Sequence, residues 1–177
     1  MKFDFAVFCA SLRTRHASLA LGTLLGMSAI QAQALERAPM LSLEVAQKMA
    51  EAVRTKAVEK GWKMNVSIVD SGANTLLFER MDGAPLGSGQ HAQMKAELSA
   101  RFGQSTRWAG ELAWGKDNKG GTLPGVAELP GFVTFPGGLP IKVGELTIGA
   151  VGVSGSLPEN DEICAQAGLD AVKALLK

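Results

Sequence analysis

His91 and Lys95 lie four residues apart in the segment SGQHAQMKAELSARF, residues 88–102. That segment has the composition of a helix. At 100° per residue, Met94, Lys95, Leu98 and Phe102 all fall within about 60° of His91. The stripe offers an imidazole, an ammonium and apolar walls. A flat ligand with a metal at its centre and carboxylates at its edge needs that combination. The opposite stripe, Ala92, Ala96 and Ala100, suits close packing on a sheet. The wheel fits equally well a solvent-facing stripe with a solvated Lys95 and a half-buried His91, and the sequence leaves the two open.

Other residues bear on the same chemistry. Arg80 can clamp a carboxylate or form an ordinary exposed ion pair, and it sits with Glu79, Met81 and Asp82 at a turn. Met64, Met81 and Met94 carry thioethers that can ligate a soft metal but more commonly fill core gaps. Gly137-Gly138 reads as a turn or as a place where a flat ligand approaches the backbone. Cys164 lies among alanines, as a buried inert thiol does. Ser88, His91 and Asp82 have the atoms of a nucleophilic triad, but no G-x-S-x-G elbow accompanies them, and Ser88 reads better as a helix N-cap. GAVGVSG, residues 149–155, lacks the Gly-Lys-Ser/Thr of a phosphate loop and reads as a strand. Trp62, Trp108 and Trp114 have no basic residues interleaved, which argues against a nucleic-acid platform. The chain has no tyrosine.

The elements that position these residues can be read from periodicity. Ser42 caps a helix running to about Lys60, with Gly61 as its stop and Ala46, Met49, Ala50, Val53 and Ala57 on one face. Residues 64–70 and 75–81 form a hairpin around Ser71-Gly72-Ala73-Asn74. A helix over 88–102 follows, then a shorter one from Ser105 through Trp114. Residues 116–130 form a long loop with no periodicity. Strands are predicted over 132–135, 139–142 and 146–154, and a last helix over 159–176 begins near Pro158. The strand spacings are too short for helical crossovers. The expected class is α+β, with a five-stranded, mainly antiparallel sheet flanked by helices.

Composition narrows the setting. Lys2, Arg13 and Arg15 precede an uncharged run over 17–30, and Ala32-Gln33-Ala34 follows it. That order is a secretory signal peptide, and the run is short of the ~20 residues that span a bilayer. Residues 1–34 are therefore expected to be removed, leaving a single domain over 35–177 that is periplasmic or secreted and free of the membrane. Removing Lys2, Arg13, Arg15 and Asp4 from 18 basic and 17 acidic residues leaves 15 and 16. So balanced a charge gives no electrostatic case for nucleic acid or an anionic membrane. One cysteine and one histidine remain, which excludes an intrachain disulfide and a Cys/His structural zinc site.

Several spaced motifs together resemble the HbpS/GlcG family, a haem-binding or haem-degrading group related to the C-terminal domain of PduO. The first half of the resemblance is Val69-Asp70-Ser71-Gly72, residues 78–84 (FERMDGA), Ser88 and Lys95-Ala96. The second is Gly137-Gly138-Leu139-Pro140-Ile141, residues 148–155 (IGAVGVSG), Asp161-Glu162 and Ala167-Gly168. The resemblance implies a profilin-like αβα domain, a tendency to homo-oligomerise, and haem or small-molecule binding rather than a defined catalytic cycle. It supplies no axial ligand. His91 is therefore the expected metal ligand on these residues alone, with Lys95, Arg80, Met81, Asp82, Gly137 and Gly138 as further binding residues. The expected role is haem storage, scavenging, sensing or slow degradation. The alternative is a haem-free small-molecule-binding or ring-processing accessory protein. The last helix is apolar on two sides, which points to a homo-oligomer.

Overall fold

A computed structural model describes residues 38–177, and the signal-peptide reading of 1–34 lies outside the described residues. Helix α1, Leu43–Lys60, is capped as its sequence predicts. The Ser42 side chain accepts the Val45 N–H at 3.3 Å, and Gly61, in the left-handed region at φ 71°, ends it. Strands β1, Asn65–Asp70, and β2, Thr75–Arg80, form the hairpin. Asp70 shapes its turn, accepting the Gly72 N–H at 2.8 Å and the Asn74 N–H at 2.9 Å. The Asn74 backbone and side-chain N–H groups hold the Asp70 carboxyl below the ordinary aspartate value.

Helix α2, Ser88–Phe102, and helix α3, Thr106–Trp114, come next. Ser105 caps α3, accepting the Trp108 N–H at 3.1 Å. Gly87, not Ser88, is the N-cap of α2. The Ser88 hydroxyl instead donates to the Pro85 carbonyl at 2.8 Å and accepts from the Asn65 amide at 2.7 Å. After the long loop come β3, Gly138–Val143, β4, Leu146–Ser154, and α4, Pro158–Val172, which opens on its proline.

The sheet has four strands rather than five, in the order β2-β1-β4-β3, all antiparallel. The missing strand is 132–135. Its backbone begins in a turn, with the Phe132 N–H on the Leu129 carbonyl, and buried Val133 packs with Leu98 and Ala109. Phe132, Val133 and Phe135 fill a gap between α2 and α3 as readily as they would fill a sheet, and periodicity cannot separate the two. Pro140, which has no N–H for a ladder, is tolerated because β3 is an edge strand.

Alternation along the strands separates two faces. Val66, Ile68, Val151 and Val153 point into the main core with Met49 and Val53 of α1 and Cys164 and Ala165 of α4. The other face is built of small residues, and Val69 and Ala150 meet Ala96 and Ala100 of α2. Helices thus cover both faces. The α2 side is the tighter: a Cβ on Gly152 would run into the Ala92 carbonyl and the Ala96 nitrogen. Cores packed this closely lose about 1–3 kcal/mol when one carbon is forced in. Gly152→Ala is expected to lower the thermal midpoint accordingly, while Gly125→Ala, with open space around it, leaves it nearly unchanged. Equal midpoints by calorimetry would contradict this close approach.

Candidate functional site

The polar centre of the molecule is an ion pair. α2 delivers Lys95 and α4 delivers Asp161, and both are buried. The Lys95 ammonium lies 2.7 Å from Asp161 Oδ2 and donates to the Val153 carbonyl at 2.9 Å. Asp161 Oδ1 accepts the Ser156 N–H at 3.0 Å. The ammonium also sits 4.9 Å from the centre of the Phe135 ring. Burial pulls Lys95 below the ordinary lysine value and lifts Asp161 above the ordinary aspartate value, and their mutual attraction opposes both shifts.

Gly137 makes room for this pair, and Gly138 for the backbone beside it. A Cβ on Gly137, at φ 123°, would meet the Lys95 ammonium, the Val153 carbonyl and Asp161. A Cβ on Gly138 would meet the Lys95 carbonyl, Thr106 and Ser99. The Gly138 N–H donates to the Thr106 hydroxyl at 2.9 Å. Both glycines are buried, so what approaches them is the protein itself: α2, β4 and α4 at Gly137, and α2 and α3 at Gly138.

Above the pair opens a cleft of about 400 Å³, with Ser88, His91, Phe135, Ser154, Ser156 and Asp161 on its walls. The His91 ring is exposed and stands edge-to-face with Phe135 at 5.7 Å and 81°. Leu86 and Leu157, neighbours in sequence to residues of the wall, are 80% and 67% exposed. Phe135 and Pro158 also border a second cleft of about 430 Å³ that carries Arg107, Trp114 and Lys116.

The expected site residues do not gather in one place. His91 stands in the cleft. Lys95 lies beneath it with its ammonium bonded to Asp161, neither a solvated ammonium nor one presented to a ligand. Met94 and Leu98 pack toward Trp108 and Phe132, and Phe102 is exposed beside them. The predicted stripe therefore divides between two surroundings. Arg80, Met81 and Asp82 line a separate cleft of about 320 Å³ with Arg54 and Lys63. Met64 is buried, and its N–H reaches the Met81 sulfur at 3.4 Å. Burial pushes the Cys164 thiol up to about 11, the value of an inert side chain. Among the described residues, no three or more His, Cys, Asp or Glu side chains are grouped to hold a metal ion.

Sequence reading did not pick out Phe135 or Asp161 as site residues. Phe135 was expected in a strand. Asp161 lies in the first turn of a helix, where an acid is ordinary, and only its partner 66 positions away gives it another meaning.

The sheet, the helices on both its faces and the cleft at the end of β4 define a small α+β domain with a surface site. Residues 41–170 match the family described as haem degrading protein, HbpS-like, and the chain belongs to that family. An uncharacterised 15.0 kDa protein of Citrobacter freundii, encoded between dhaT and dhaS, is 36% identical over 76% of this chain and 94% of its own length. The crystal structure of Klebsiella pneumoniae ORFY is 35% identical, with a TM-score of 0.74, over 80% of this chain and 97% of that one. A crystal structure of a PduOC–haem complex is 28% identical, with a TM-score of 0.68, over 75% and 95%.

Breaking a buried ion pair leaves an uncompensated charge and costs about 3–5 kcal/mol. Lys95→Met and Asp161→Leu are each expected to destabilise by that order in denaturant unfolding. The double variant is expected to lose less than either single one. Additive losses would show that the two side chains do not act as a pair.

Proposed function

We propose that this protein binds haem at the His91 cleft, with His91 as the iron ligand. The observation that carries the reading is the setting of His91: an exposed imidazole lining a cleft and edge-to-face with Phe135, with the exposed Leu86 and Leu157 adjacent in sequence to the wall residues Pro85, Gly87 and Pro158. Imidazole ligates haem iron, and bare leucines beside a cleft suit an apolar ring face. No other histidine lies beyond residue 34, and there is no tyrosine. Membership of the HbpS-like family and the haem complex of a relative support the same ligand. Bound there, haem supplies a redox-active iron. The chain contributes the imidazole and a cleft wall that includes Phe135, Pro158, Ser154, Ser156 and Asp161. The role fits haem storage, scavenging, sensing or slow degradation, on a domain of profilin-like build. The serine-lined wall favours one second reading, a smaller polar ligand with no haem.

Titration of the full chain with hemin is expected to give a Soret band that saturates. His91→Ala is expected to shift or abolish it, with binding weaker by roughly tenfold or more, about 1.4 kcal/mol. An unchanged spectrum and affinity in that variant would move the iron ligand elsewhere. No band in the native protein would favour the smaller ligand.

The same proposal includes export and self-association. The charged-then-apolar-then-small order of residues 1–34 supports a periplasmic or secreted mature chain. Among the described residues, no helix is long and apolar enough to cross a membrane. On α4, Ala165 and Val172 face the core, while Ile163 and Ala171, and Ala174 in the turn just after it, are exposed. That outer stripe suits contact with a second copy. Exported protein is expected to begin near Leu35 by intact mass and to exceed one chain's mass by light scattering. A full-length monomer would refute both parts.

A further inference from the structure

We propose that Phe135 is a positioning residue for His91, itself anchored by the buried Lys95 ammonium. Its functional weight rests on the reading of His91 as an iron ligand, but the anchoring stands on geometry alone. Phe135 belongs to a loop segment with no ladder to hold it. Such a residue would ordinarily be free to change rotamer. Packing against the Leu98, Ala109 and Val133 cluster restrains it, and two directional contacts set its ring. The Lys95 ammonium lies over its ring at 4.9 Å, inside the ~6 Å range where a cation is drawn to an aromatic face. The His91 ring meets it edge-to-face at 5.7 Å, the geometry that aromatic quadrupoles prefer.

The ammonium cannot wander. Asp161 at 2.7 Å and the Val153 carbonyl at 2.9 Å fix it from α4 and β4. Gly137, two residues after Phe135, closes over the same spot, since a Cβ there would strike the ammonium. The order of restraint therefore runs from the Asp161–Lys95 pair to Phe135, and from Phe135 to an imidazole that is otherwise exposed. An exposed side chain loses rotamer freedom when it takes up a ligand, and a pre-set ring loses less. Phe135 thereby holds His91 in one orientation at the cleft mouth before any ligand arrives.

The test uses the full chain and two readouts. In the ligand-free protein, the His91 ring signals are assigned by NMR against His91→Ala. Phe135→Leu is expected to shift those signals and to collapse the spread set by one ring orientation, while Phe135→Tyr preserves them. The Lys95→Met, Asp161→Leu double variant is expected to move them in the same direction as Phe135→Leu. In hemin titrations, Phe135→Leu is expected to weaken binding roughly two- to tenfold, the range of one aromatic pair, and Phe135→Tyr to restore it. Unchanged His91 signals in Phe135→Leu would overturn the proposal, and so would unchanged signals in the double variant for the Lys95 link. If Phe135→Leu does not fold, Phe135→Met serves with the same criteria. Native protein that gives no Soret band would sink the haem reading alone, because the ring signals still decide the positioning.

Discussion

Two opposite charges taken out of water organise this domain. Each costs several kcal/mol to bury, and only close pairing with further hydrogen bonds offsets that cost. The Lys95–Asp161 pair meets the condition with a 2.7 Å contact, the Val153 carbonyl and the Ser156 N–H. These partners come from α2, α4, the last strand and the turn after it. An apolar contact would tolerate some sliding among them. A charge pair with directional partners does not, so it fixes how the helix on one sheet face registers with a helix on the other. Gly137 is the corresponding steric condition, because a side chain there would occupy the space the pair needs.

The cleft follows from that arrangement. Asp161 of the ion pair lies on its lining, the ends of β4 and α4 and the first turn of α2 form its walls, and Phe135 closes one side. A rigid lining beside an exposed imidazole differs from a cleft between mobile loops. Binding at such a site draws on existing order, and less entropy is lost on association.

Much of the architecture was legible in the sequence. Ser42 and Gly61 mark the ends of α1, Ser105 starts α3, and Asp70 with Asn74 turns the hairpin, since each acts through its own neighbours. The alanine stripe of α2 correctly pointed at the sheet. What could not be read was the partner of each polar residue. Lys95 four positions from His91 looks like a companion of the imidazole, but its ammonium turns to an aspartate on another helix. Arg80 and His91 both suit a carboxylated metal ligand, yet α1 and α2 cover opposite sheet faces and divide them between clefts. Phe135 has the same composition signal whether it pairs in a ladder or packs in a loop. Long-range pairing decides these cases, and one chain's periodicity does not encode it.

The sheet ends differently at its two borders. Pro140 interrupts the outer ladder of β3 because it has no N–H to give, while β2 carries no proline and leaves Phe78 43% exposed. Edge strands with free ladder groups are templates for strand addition. Among the described residues, an added strand would therefore meet a missing N–H at the β3 border and no such interruption at the β2 border.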